Sequence, residues 1–166
     1  MHLIASIKQK MHVKTGILAF VLILISVAAA CSTNVAASTK ARDDSFTVGE
    51  SRKIVVNGSN GRINVSAGTA DTVRVKATLR RPDDLKYEVA QDGNTINVEV
   101  EEKGVRFFFL GQSPCDDIEI TTPSNTRVGL SANNRTIELY GMHRSGTVRS
   151  SNGKVIMGDL TGDFDV

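Results

Sequence analysis

Apolar and polar residues alternate through most of the chain after residue 50. Lys53-Ile54-Val55-Val56-Asn57, Arg62-Ile63-Asn64-Val65, Val73-Arg74-Val75-Lys76-Ala77, Thr95-Ile96-Asn97-Val98-Glu99-Val100 and Ile118-Glu119-Ile120 all follow this rhythm. A period of two sends one row of side chains into a core and the other into water, which predicts half-buried strands. The apolar positions are mostly β-branched, as a pleated surface favours. Asn60-Gly61, Asp92-Gly93, Asn133-Asn134 and Asn152-Gly153 separate the runs and are expected to form tight turns between strands. No segment beyond the first thirty residues carries an apolar stripe at helical spacing. The predicted class is all-β.

The turns also repeat. Asn60-Gly61-Arg62-Ile63-Asn64-Val65 matches Asn152-Gly153-Lys154-Val155-Ile156-Met157, with Gly93-Asn94-Thr95-Ile96-Asn97-Val98 a looser copy. Asn134 and Asn152, Ile137 and Val155, Leu139 and Met157, and Met142 and Leu160 are each 18 residues apart, and Leu130, Val148 and Val166 keep the same step. A fixed step in an all-β sequence predicts stacked strand-turn repeats, a β-solenoid-like domain. A β-sandwich built from a meander is the alternative.

The first thirty residues differ from the rest. Positive charge at Lys8, Lys10 and Lys14 precedes the apolar run Ile17–Val27 and the small residues Ala28-Ala29-Ala30. A spanning helix needs about 20 apolar residues, so this shorter run reads as the apolar region of a secretory signal. Met11 is an alternative start to Met1. The expected organisation is a signal peptide over 1–30, a flexible tether over 31–45, and a β-strand-repeat domain over 46–166. Ser32 to Ser45 is polar and small-residue-rich, with no hydrophobic period.

Ala28-Ala29-Ala30-Cys31 resembles the lipobox of bacterial lipoproteins, although Ala28 stands where Leu is commoner. The resemblance implies diacylglycerylation of Cys31 and cleavage just before it; cleavage by an ordinary signal peptidase is the alternative. Ser32 after the cysteine, with no Asp there, resembles outer-membrane sorting. Phe46 to Val166, with its NG-x-I-x-V turns and the step from Ser150 to Val155, resembles the bacterial β-strand-repeat family of unknown function called putative adhesins, related to the putative auto-transporter adhesin head domain. That resemblance implies an elongated β domain on the envelope and supplies no catalytic residues. Members of the family run on through more repeats, so a C-terminal truncation, or self-association through the C-terminal strand at Phe164-Asp165-Val166, is expected.

Charge removes one class of partner. The formal charge is +2, but three of the 20 basic residues are the leader lysines. The remainder has 17 basic residues against 18 acidic ones. Near neutrality gives no electrostatic reason to expect nucleic acid. Two cysteines are too few for a disulfide framework, and lipidation of Cys31 would leave Cys115 as a small buried hydrophobe or an unpaired thiol.

Candidate chemistry is sparse. His143 is the one histidine outside the leader, and His143-Arg144-Ser145-Gly146 reads as a polar turn. Asp43-Asp44, Asp83-Asp84 and Asp116-Asp117 are adjacent pairs, which a strand sends to opposite faces. Arg81-Pro82-Asp83-Asp84 and Pro114-Cys115-Asp116-Asp117 are expected as turns leading into strands, and Gly158 to Asp163 as a solvated turn. No catalytic residue, metal site or cofactor is assigned. Phe107, Phe108, Phe109 and Leu110 form a core strand or plug, or, if exposed, a contact patch for a partner. These features predict a non-enzymatic cell-envelope lipoprotein with an adhesin-like binding or scaffold domain. It would be held to the membrane by its N-terminal lipid and meet an envelope or surface protein partner. A sensor or accessory component in envelope stress signalling is the alternative.

Overall fold

The computed structural model describes residues 38–104 and 114–166. Ten strands run through them: β1 (Thr39–Thr47), β2 (Lys53–Gly68), β3 (Thr72–Arg80), β4 (Leu85–Asp92), β5 (Thr95–Glu102), β6 (Cys115–Pro123), β7 (Arg127–Tyr140), β8 (Gly146–Ser150), β9 (Val155–Gly158) and β10 (Phe164–Asp165). A 3₁₀ turn, Pro82–Asp84, joins β3 to β4. The strands form one open sheet, so the all-β expectation holds.

The two long strands change face halfway. In β2 the inward residues are Ile54 and Val56, then Ile63 and Val65. In β7 they are Val128, Leu130 and Ala132, then Arg135, Ile137 and Leu139. Even-numbered positions thus give way to odd ones, which a strand of period two does at a bend or bulge, and the β2–β7 pairing skips Ser59 and Asn133 at that point. Each long strand therefore serves two limbs of the sheet. The first halves of β2 and β7 pair with β5, β8 and, through β5, β4. Their second halves pair with β6 and β9 and lead on to β3 and β1.

This arrangement corrects the expected turns. Asp92-Gly93 does make the β4–β5 hairpin, with Asp92 opposite Thr95. Asn60-Gly61 and Asn133-Asn134 instead lie inside β2 and β7, at the corners. Asn134 Nδ2 donates to Asn60 Oδ1 at 3.1 Å, so the corner amides stack in a ladder. Gly61 sits at φ 126°, and a Cβ there would lie 1.8 Å from the Asp116 carbonyl oxygen. Glycine at this position lets the backbone bend while its neighbours stay stacked.

The 18-residue step is visible in the parallel register. Leu130 lies beside Val148, Ile137 beside Val155, and Leu139 beside Met157. Across the sheet this gives ladders of like side chains, such as Val98–Val56–Leu130–Val148 and Ile118–Ile63–Ile137–Val155. Neighbouring rungs thus carry apolar side chains side by side on the buried face of the sheet. Both limbs contribute to one apolar cluster. Fully burying each Val, Ile or Leu contributes about 1.5–3 kcal/mol.

Strand β1 begins at Thr39, inside the segment expected as tether, and pairs antiparallel with β3 along its length. Its polar composition hid it. As an outer strand it half-buries only Asp44 and Phe46, so no apolar alternation marks it. Gln91 Nε2 of β4 reaches the Thr47 carbonyl at 2.9 Å, and the Tyr87 hydroxyl donates to Asp44 at 3.3 Å. Among the described residues no helix is long and apolar enough to cross a membrane.

Candidate functional site

The outward faces of the two limbs carry charge differently. On the second limb the bases sit beside acids: Asp43 and Glu119 lie on either side of Lys76, and beyond them Glu119 and Glu138 flank the neutral Asn64. Arg74 makes a two-pronged bond to Asp43 at 2.8 and 2.6 Å, and Arg80 lies 3.5 Å from Asp117. These charges compensate one another locally.

The first limb is polarised instead. Its β4–β5 end is acidic: Glu88 is paired with Glu99, and Lys86 with Glu101. Its β2–β7–β8 end is basic. Lys53 and Arg127 are register partners on adjacent strands, both exposed, and neither makes an ion pair among the described residues. Arg149 lies farther along, 3.0 Å from Asp165.

Between these cations runs a shallow groove of about 520 Å³. Its floor is Gly129, flanked by Val55 of β2 and Thr147 of β8. Asn57 and Ser131, neighbours in the next outward row, line it with Arg149. Ser145 and Gly146 close the other end, and none of the described residues that line it is acidic. Gly129 has no conformational reason to be glycine. Its φ lies outside the left-handed region, and the nearest atom to an added Cβ is the Ile54 carbonyl oxygen at 3.9 Å. Glycine inside a strand costs roughly 0.5–1 kcal/mol, and commonly marks a place where something approaches the backbone closely.

The corner of the molecule holds a second polar feature. Arg135 and Asp116 are buried completely, and Arg135 Nη2 donates to both Asp116 oxygens at 2.5 Å. The guanidinium passes over Gly58, where a Cβ would lie 2.5 Å from Nε. Burial pushes the Asp116 carboxyl above its ordinary range, against the opposing pull of Arg135. Arg135 Nη1 also reaches the Arg62 carbonyl at 3.4 Å, and the pair is closed off from solvent, so it is a structural element rather than a site for a ligand.

The residues singled out from sequence fall as follows. Cys31 and the run Phe107, Phe108, Phe109 and Leu110 lie outside the described residues. His143 is exposed in the connection from β7 to β8, its backbone N–H donating to the Ser124 carbonyl at 2.7 Å. Cys115 is a free, half-buried thiol at the start of β6. Asp116 and Asp117 are strand residues rather than a turn. They do point to opposite faces, Asp116 inward to Arg135 and Asp117 outward toward Arg80. The turn at Pro82–Asp84 and the loop before Asp163 are where they were expected. Among the described residues no group of three or more His, Cys, Asp or Glu side chains is placed to hold a metal ion. The groove is not among the features the sequence pattern predicts. The signal was Lys53-x-Val55-x-Asn57 aligned with Arg127-x-Gly129-x-Ser131, visible only once β2 and β7 are known to be neighbours.

No protein-family model matches the chain, and no curated protein matches it. Among solved structures it is similar to a putative adhesin from Bacteroides fragilis, with 16% identity and a TM-score of 0.49. That alignment covers 76% of this chain and 56% of the other, so the chain spans little more than half of that relative. A putative cell adhesion protein from Clostridium sporogenes aligns at 10% identity and a TM-score of 0.42, over 76% of this chain and 99% of that one. A putative lipid binding protein from Parabacteroides distasonis aligns at 15% identity and a TM-score of 0.35, over 75% and 60%. Alignments this loose leave the role of the site to be read from its own residues.

Proposed function

We propose that this chain is a non-enzymatic, adhesin-like binding and scaffold protein of the cell envelope, exported and held to the membrane by a lipid on Cys31. The observation that supports a binding role is Gly129, a glycine that the backbone does not require, at the floor of an exposed groove. The stacked rungs beneath it form a rigid support, which suits a surface whose task is contact. The leader and the Ala28-Ala29-Ala30-Cys31 sequence supply the anchor.

Two measurements test this reading. Mass spectrometry of the N-terminal peptide from native membranes should find diacylglycerol on Cys31; an unmodified Cys31 peptide contradicts the anchor. Cells producing the full-length chain should be retained under flow on a surface coated with envelope material, and cells producing Gly129→Val should not. Equal retention of the two contradicts the groove as the contact surface.

A further inference from the structure

We propose that the groove over Gly129 takes the acidic groups of a carboxylated or sulfated polysaccharide. The inference rests on the reading of the groove as a contact surface and names what it contacts. Lys53 and Arg127 stand directly across from one another on adjacent strands. Like charges in that position destabilise a sheet; Lys76 on the second limb has carboxylates on both sides, and the like-charged pair Glu88–Glu99 has Lys86 3.3 Å from Glu88, whereas Lys53 and Arg127 have no counter-charge among the described residues. An anion bridging Lys53 and Arg127 would remove the repulsion and gain two charge-assisted hydrogen bonds.

The spacing favours a polymer over a single small anion. Arg149, which already has Asp165 at 3.0 Å on its far side and would share its guanidinium between that carboxylate and a ligand, is the outward neighbour of Ser131, four residues along β7 from Arg127. By strand rise that is on the order of 13 Å, beyond the span of one carboxylate or sulfate group. Thr147 lies between the two ends, and Asn57 and Ser131 stand in the row of Arg149; their amide and hydroxyls are the partners a sugar hydroxyl needs. Among the described residues no aromatic side chain lines the groove to stack on a base, which disfavours a single-stranded nucleic acid. Val55 is the one outward apolar side chain, too little surface for insertion into a bilayer.

The test measures binding of the full-length chain to polygalacturonate, dextran sulfate and neutral dextran, and to phosphatidylglycerol and phosphatidylcholine vesicles. Binding to at least one acidic polymer and not to neutral dextran is expected. Lys53→Gln and Arg127→Gln should each weaken it by roughly tenfold, and Gly129→Val should abolish it without lowering the melting temperature. Lys76→Gln, on the other limb, should leave it within about twofold. Equal weakening by Lys76→Gln would reduce the effect to net charge and overturn the proposal. So would equal binding to neutral dextran, preference for phosphatidylglycerol vesicles, or no binding to either acidic polymer. If the acidic polymers fail while Gly129→Val still abolishes retention under flow, the ligand class is wrong and the contact surface stands.

Discussion

Arg135 is shut entirely inside the sheet, and its carboxylate partner Asp116 does not satisfy it completely, because Nε has no hydrogen-bond acceptor among the described residues. Breaking such a pair strands a charge in the core, whereas replacing both members with apolar groups removes the desolvation cost. Arg135→Met alone should therefore lower unfolding stability in urea by about 3–5 kcal/mol, and the double variant Arg135→Met, Asp116→Leu should recover most of that loss. The pair also carries a pH signature. Burial raises Asp116 above its ordinary 3.8, so the folded chain holds that proton more tightly than the unfolded chain. Its contribution to stability is then greatest below 3.8 and falls as pH rises through the folded value. Urea midpoints for the wild type minus those for the double variant should decline over that interval; a rising difference contradicts the assignment. The burial itself was not legible in the sequence. An arginine after Asn133-Asn134 reads as a solvated turn residue, and only the change of face within β7 turns it inward.

The stacking of strands predicts how stability is distributed. Ile137 lies in the middle of a ladder and is completely buried, while its neighbour Val155 in the last rung is only half-buried. Ile137→Ala should cost about 2–5 kcal/mol by urea unfolding, and Val155→Ala distinctly less. The outer strand β1 should respond to acid. Arg74, through its hydrogen bonds, holds the Asp43 carboxyl below its ordinary value of 3.8. The stability that this pair gives β1 is present above 3.8 and is lost as pH falls through the lowered folded value. Hydrogen exchange, corrected for intrinsic rates, should show β1 opening more readily on that descent, and Asp43→Asn should remove the pH dependence. Alternation made β2, β3, β5 and β6 legible, since burying one face of a strand leaves a local trace. The corners were not legible, because Asn-Gly suits both a reversing hairpin and a bend that carries on. Nor was β1, whose exposed polar residues leave no such trace.

At the scale of the whole molecule, the 18-residue step was readable because stacking repeats the same side chain at the same position of each rung. The groove was not, because it joins β2 to β7 across a long stretch of intervening chain. Its cations, Lys53, Arg127 and Arg149, look in sequence like ordinary outward residues of alternating strands. Stacked register gathers them on one face, where Lys53 and Arg127 have no carboxylate partner among the described residues, while Lys76 and Arg74 on the other limb sit beside acids. The central claim is that this face of the first limb is where the protein meets its ligand. The most direct test is the map of backbone amide shifts in the full-length chain as polygalacturonate or dextran sulfate is added. Changes concentrated at Lys53, Val55, Arg127, Gly129, Ser131, Thr147 and Arg149, with Arg74, Lys76 and Glu119 unmoved, are predicted. Changes centred on the second limb, or spread evenly over both, would contradict it.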